Sequence, residues 1–190
     1  MHTTTRTIME LNPEAFSASQ LTSKLWAAEE LEKCVKEHNI GNLNMYILGG
    51  WYALLFFLLK VRNNIAIDEC RSFDIDQEAC MVANTINSTW EQSNWSFRSF
   101  PQDVNSIDYP ENVNCVINTS SEHIEDNDWF DNIPDGTLCL IQSNNLQIPE
   151  HVNTVRTIDE LLEKYPMSNV LYSGTKSIRS YRRFMVIGLK

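Results

Sequence analysis

From residue 42 onward the chain alternates short apolar runs with longer runs of helical spacing, and this alternation restricts the fold more than any other feature. Asn44-Met45-Tyr46-Ile47-Leu48 is a buried strand broken by Gly49-Gly50. Trp51 to Val61 follows as a helix apolar on most sides, as expected of one packed between a sheet and another layer. The pattern then predicts a strand over Cys70 to Asp74, a helix over Asp76 to Asn87, and strands over Trp95 to Phe100 and Val113 to Ile117. Asp126 to Asn132 is a short helix, and the Asp135-Gly136 turn leads into a strand over Thr137 to Gln142. Thr157 to Lys164 is a helix ended by Pro166. Two last strands, Asn169 to Ser173 and Tyr181 to Gly188, are joined by Gly174 to Ser180 with no helix between them. Strand–helix alternation requires a parallel sheet covered on both faces, and a helix-free pair can close it as an antiparallel hairpin at the edge. The expectation is a doubly wound α/β domain over residues 42–190, with a seven-stranded sheet of six parallel strands and one antiparallel.

Residues 1–41 form a helical extension in front of it. A polar lead with Pro13 runs to residue 18, and Ser19 is placed to cap a helix to about His38 that Gly41 stops. The apolar positions Leu21, Leu25, Trp26, Ala28, Leu31 and Val35 keep helical spacing. This helix can cover a pocket, extend the domain or pair with a second subunit, which leaves a homo-oligomer open.

Charge and composition narrow the partners. The formal net charge is −10, with acid dense from Asp108 to Asp135, so the surface repels phosphate backbones and general nucleic-acid binding is not expected. The exception is Lys176, Arg179, Arg182, Arg183 and Lys190, either a solvated hairpin face or a local site for an anion. The longest apolar stretch, Trp51 to Leu59, is far short of the roughly 20 residues that span a bilayer, and no apolar segment follows Met1 to Arg6 as in a signal peptide. Five cysteines lack C-x-x-C spacing, and Cys115 and Cys139 sit inside strand-like runs. They read as reduced core thiols in a cytoplasmic protein, where the N-x-S/T triplets at Asn87, Asn94 and Asn118 carry no glycan.

In such a sheet ligands bind beyond the carboxyl ends of the strands, at the switch point. Gly49-Gly50 sits there, after the first strand, although two glycines can equally serve a turn that needs no ligand. Asp74, at the end of the second strand, is placed to accept hydrogen bonds from a ribose, with Asp76 as the next helix cap; both could be plain caps. Trp51 and Tyr52 can line the pocket or belong to the core.

Leu48 to Tyr52, Phe73-Asp74-Ile75-Asp76, Val116 to Ser120 and the closing strand pair together resemble the class I S-adenosylmethionine-dependent methyltransferases, which have a Rossmann-like fold. The resemblance runs from about residue 42 to the C-terminus. Within that class it is nearest to small methyltransferase-like proteins of bacteriophages, through the G-G-W-Y turn at Gly49 to Tyr52, N-T-S-x-E-H-I at Asn118 to Ile124, Q-S-N-N at Gln142 to Asn145, and R-F-M-x-I-G at Arg183 to Gly188. The family's common turn is G-x-G-x-G; here Trp51 and Ala53 replace its second and third glycines, and Ile47 stands where an acid often precedes them. The resemblance implies S-adenosylmethionine as cofactor and S-adenosylhomocysteine as product. The cofactor would contact Gly49, Gly50, Trp51, Tyr52, Asp74, Ile75 and Asn118, with Asp103 near the adenine amine.

The segment Asn118 to His123 would border the transferred methyl group. Glu122 and His123 are the candidate proton acceptor pair, a carboxylate orienting an imidazole. The competing reading is a helix cap in which Glu122 completes a capping box with Thr119. Ser120, Gln142, Asn144, Asn145 and His151 would face the substrate, although the amide run also suits an ordinary turn. Glu122, His123 and His151 form a known ligand set in no recognised spacing, so no metal is assigned. Ser120 and Ser121 lack the G-x-S-x-G elbow of a serine nucleophile. Methyl transfer to a small polar or peptide-like acceptor is the first expectation. Cleavage of S-adenosylmethionine, or a non-catalytic binding or assembly role on the same fold, is the alternative.

Overall fold

The computed structural model describes residues 10–93 and 96–190. Residues 1–9 of the polar lead, the Asn94 triplet and the expected strand start at Trp95 lie outside the described residues. A 3-10 turn, Pro13–Phe16, leads into helix α1 (Ala18–Glu37). Then follow β1 (Leu43–Leu48), α2 (Leu54–Arg62), β2 (Ile67–Asp74), α3 (Gln77–Asn87), β3 (Ser96–Pro101) and β4 (Cys115–Asn118). The chain closes with α4 (Asp128–Asp131), β5 (Leu138–Asn144), α5 (Ile158–Lys164), β6 (Asn169–Ile178) and β7 (Tyr181–Leu189).

The strands form one sheet in the order β3-β2-β1-β4-β5-β7-β6. Strands β1 to β5 pair in parallel, and β7 runs antiparallel to both β5 and β6. Six strands thus share one direction, and β7 is inserted between β5 and the edge strand β6. The order reverses at β1, whose neighbours are β2 and β4, so the crevice opens between the ends of β1 and β4.

Alternating side chains feed two cores, one on each face. Met45, Ile47, Cys115, Ile117, Leu138, Leu140, Met185 and Ile187 meet α1 and α2 through Trp26, Leu31, Leu55 and Phe56. Tyr46, Leu48, Val116, Cys139, Ile141, Phe184 and Val186 meet α4 and α5 through Trp129, Phe130 and Leu161. Helix α1 therefore packs within the main core. Its buried Glu32 accepts hydrogen bonds from Arg62 at 2.8 and 2.9 Å and from Asn64 at 2.8 Å, which ties α1 to α2.

Several element ends differ from the sequence expectation, each for a local reason. Ser17, not Ser19, caps α1, its hydroxyl accepting from the Gln20 amide. The helix ends at Glu37 and is closed off by Asn39, which takes the left-handed conformation (φ 52°) while Ile40 N–H donates to the Val35 carbonyl; Gly41 has no such role. Helix α2 begins at Leu54, three residues late, because Trp51 (φ 48°) and Ala53 (φ 51°) are left-handed and extend the turn. Strand β6 continues to Ile178, leaving only Arg179 and Ser180 as a tight hairpin turn, with Arg179 at φ 51°.

Candidate functional site

A cavity of about 800 Å³ opens at the carboxyl ends of β1, β2, β4 and β5. Its floor begins with the turn after β1. Gly49 is left-handed (φ 58°), and a Cβ on Gly50 would lie 2.0 Å from Ser72 Oγ and 3.3 Å from Ile47 Cγ2. Both glycines are thus demanded by the fold itself, one by its dihedral angle and one by its closeness to β2. The turn is pinned from β2: Gly50 N–H donates to the Phe73 carbonyl at 3.1 Å, and Trp51 N–H to Asp74 Oδ2 at 2.8 Å. Asp74 Oδ1 accepts from Asp76 N–H at 3.0 Å. Asp74 thereby fixes the turn and lines the cavity, and Asp76 is the cap of α3, as expected.

The far side is built from β4, β5 and β7. After β4, Asn118 Oδ1 accepts from Ser120 N–H at 2.9 Å, and the Ser120 hydroxyl donates to the Gly49 carbonyl at 3.3 Å, joining the two loops. A 3-10 turn, Ser121–His123, follows. No capping box forms: Ser120 makes no side-chain cap bond, and Glu122 turns instead to β5 and β7. Glu122 is 2% exposed. Its Oε1 accepts from Asn144 Nδ2 at 2.5 Å and forms an ion pair with Arg183 Nη1 at 3.3 Å, and its Oε2 is buried with no hydrogen-bond partner among the described residues. Arg183 also donates to Gln142 Oε1 at 3.2 Å and to the Thr119 carbonyl. Glu122 does not orient His123. His123 Nδ1 lies 3.0 Å from the Glu150 carbonyl, and His151 Nδ1 lies 2.8 Å from the Leu146 carbonyl. The two imidazoles meet edge to face, ring centres 4.6 Å apart.

Of the residues singled out from sequence, Gly49, Gly50, Trp51, Asp74, Ile75 and Asp103 line the cavity, as do Ser120, Glu122, His123, Asn144 and His151. Asp103 caps a short turn by accepting from Asn105 N–H at 3.0 Å. Four do not line it. Tyr52 is a core residue, packed with Leu54, Ala79 and Val82, and its hydroxyl accepts from Asn12 N–H at 3.0 Å. Asn118 is fully buried under the loop it shapes. Gln142 is buried and accepts from the Ser23 hydroxyl at 3.0 Å, so it holds α1 to the sheet. Asn145 pairs with β7, its Oδ1 accepting from Arg182 N–H at 2.8 Å. Asn87 and Asn118 are buried, and Cys34, Cys70, Cys80, Cys115 and Cys139 are buried free thiols.

The N-terminal helix covers one side of the cavity, one of the roles its sequence leaves open, through residues the sequence does not single out. Helix α1 lies along the cavity and contributes Ser19, Gln20 and Lys24, with Glu14 from the turn before it. Lys24 is 8% exposed and donates to Gln20 Oε1 at 2.6 Å. Burial first, then the positive charge of Arg183, pulls its pKa down to about 7 against the opposing pull of Glu122. The C-terminal basic run splits: Arg179 and Arg183 enter the cavity, whereas Lys176 and Lys190 lie over the rings of Trp26 and Phe130. Among the described residues no helix is long and apolar enough to cross a membrane.

No family model and no curated protein matches the sequence. Solved structures match the fold. Magnesium protoporphyrin IX methyltransferase (ChlM) from Synechocystis, solved with S-adenosylmethionine, superposes with a TM-score of 0.66 at 12% identity, over 90% of this chain and 81% of that one. The same enzyme has been solved with S-adenosylhomocysteine. The N-methyltransferase NodS from Bradyrhizobium japonicum gives 0.62 at 10% identity over 89% and 97% of the two chains. An S-adenosylmethionine-dependent methyltransferase from Aquifex aeolicus gives 0.60 at 15% identity over 95% and 99%. These likenesses are of fold.

Proposed function

We propose that this chain is an S-adenosylmethionine-dependent methyltransferase acting on a small polar or peptide-like acceptor, with S-adenosylhomocysteine as the second product. The observation that carries the reading is the convergence of the β1 turn, Asp74 and the polar β4 and β5 ends on one cavity at the switch point. The fold neighbours solved with the cofactor or its product support it. In this reading Asp74 accepts from the ribose hydroxyls, Asp103 faces the adenine amine, and Ile75, 82% exposed at the rim, gives the adenine an apolar surface. Gly49 and Gly50 let the methionine moiety approach the backbone, and Trp51 bounds it.

Methyl transfer displaces the sulfonium in line: the acceptor's lone pair forms the new bond to carbon as the C–S bond breaks. The protein supplies positioning, and a proton sink when the acceptor is protonated. We assign that proton to the wall formed by Glu122, His123 and His151, beside Ser120 and Asn144. Lys24, Arg179 and Arg183 suit an acceptor bearing a carboxylate or another anion.

One observation favours a second reading. Trp51 holds a left-handed conformation where the common turn has glycine, and its indole takes cavity space. That would suit an enzyme that cleaves the cofactor, or a protein that only holds it.

Calorimetric titration with S-adenosylmethionine and S-adenosylhomocysteine tests the cofactor. Asp74→Asn removes the charge on bonds worth about 1.5–3 kcal/mol, so affinity should fall roughly 10- to 100-fold. No heat with either ligand refutes the reading. Binding unchanged in Asp74→Asn moves the ribose elsewhere. Product analysis without acceptor separates transfer from cleavage.

A further inference from the structure

We propose that Glu122, His123 and His151 hold one divalent ion of the zinc or ferrous kind in the cavity wall. Residues 122 and 123 come from the turn after β4 and residue 151 from the loop after β5, and the fold brings one ligand atom of each within 4.8 Å of the others. Metal–nitrogen and metal–oxygen bonds of about 2.0–2.2 Å set ligand atoms roughly 3–3.5 Å apart. The closure needed is at most about 1.3–1.8 Å, within the reach of side-chain rotation at the exposed His123.

Both imidazoles are already set for ligation. A carbonyl oxygen only accepts, so the Nδ1 atoms facing Glu150 O and Leu146 O carry the hydrogens. The lone pair of each ring is then on Nε2. A ligating histidine is ordinarily fixed in this way, by donating from its other nitrogen to a carbonyl or carboxylate. Glu122 is held in the same manner. Asn144 and Arg183 occupy Oε1, while Oε2 is buried and has no hydrogen-bond partner among the described residues. An orphaned oxygen on a buried carboxylate is costly to retain, and a cation would satisfy it. Packing of the two rings accounts for their contact but for neither the tautomers nor the orphan oxygen. The cavity lining carries five carboxylates against three basic side chains, of which Arg183 and Lys24 act on Glu122 itself.

Two imidazoles and one carboxylate select a borderline ion over magnesium or calcium, which take oxygen ligands. Three protein ligands leave positions open to the cavity, as in reactive rather than structural sites. An acceptor oxygen bound there would lose its proton more readily, which is how this wall would serve the transfer. The ion site itself stands without the cofactor reading.

The test is titration of the full chain, treated with chelator and free of S-adenosylmethionine, with Zn²⁺, Co²⁺ and Mg²⁺. One equivalent of Zn²⁺ and of Co²⁺ should bind, with a visible Co²⁺ band of nitrogen and oxygen ligation. His123→Ala and His151→Ala should each weaken binding by more than about 100-fold, and Asn144→Ala by about 10- to 100-fold. Neither histidine belongs to the buried cores, so both variants should melt like the parent without metal and lose the rise in Tm that Zn²⁺ gives the parent. Absence of Zn²⁺ binding, binding kept by both histidine variants, or Mg²⁺ binding as tight as Zn²⁺ overturns the proposal. None of these outcomes touches the cofactor reading, which is tested without metal.

Discussion

Replacing Lys24 with methionine should stabilise the protein, and by an amount that depends on pH. Lys24 is buried against the cavity, where burial and Arg183 lower its pKa from 10.5 to about 7. Methionine keeps the aliphatic stem and removes the charge. Below pH 7 the ammonium is charged in both the folded and unfolded chains, and the folded chain bears the full cost of burying it. Between about 7 and 10.5 the unfolded chain holds a proton that the folded chain has lost, so the parent gains stability as pH rises. At about 1.4 kcal/mol per pH unit, the whole difference has an upper limit of about 5 kcal/mol. The stabilisation by Lys24→Met should therefore be about 2 kcal/mol smaller near pH 8.5 than near pH 6. Urea unfolding of parent and variant across that range measures it, and taking the difference cancels other titrating groups. A difference that is flat with pH, or that grows as pH rises, would refute the assignment of Lys24 as a buried, strained cation.

Four further outcomes follow from packing and charge. Gly50→Ala should cost about 1–3 kcal/mol of stability by thermal or urea unfolding, because the new methyl meets Ser72 Oγ and Ile47; an unchanged midpoint would mean the turn is not held against β2. Arg183→Met should cost about 3–5 kcal/mol by leaving Glu122 buried and unpaired, and adding Glu122→Leu should restore part of it; a double variant worse than the single would contradict the pairing. Burial raises Cys34 to about 11 and Cys139 to about 12, so stability held below the ordinary thiol pKa of 9.0 should be lost as pH climbs from there toward those values. The same burial predicts that a thiol reagent at neutral pH modifies the five cysteines only as fast as the chain unfolds, and rapid native-state labelling would contradict it.

The centre of the sheet is legible because β1, β4 and β5 are buried on both faces and appear as uninterrupted apolar runs such as Val116-Ile117 and Leu138 to Ile141. The residues at strand ends, Asp74, Ser120 and Asn144, were legible for the same reason: once the strands are placed, the positions that follow them face the switch point. What the sequence hid depends on tertiary docking. Lys24 looks like any polar position on an amphipathic helix until α1 is laid along the cavity. Arg183 looks like part of a basic surface run until β7 inserts beside β5 and sets it opposite Asn144. Tyr52 and Gln142 point the other way, being polar or amphipathic side chains consumed by the core, Tyr52 under the N-terminal turn and Gln142 against Ser23. Trp51 departs from the glycine pattern in sequence, but its left-handed backbone, its N–H bond to Asp74 and the delayed start of α2 appear only in the folded turn.

In the proposed function an adenosyl cofactor occupies the cavity at the β1 switch point. Hydrogen–deuterium exchange of the full chain, with and without saturating S-adenosylhomocysteine, tests both the binding and its place. Exchange should slow at residues 49–53, 74–76, 103–105 and 119–124, with the outer face of α3 and the acidic segment 108–112 unchanged. Protection confined to other segments, or none at saturation, would contradict it.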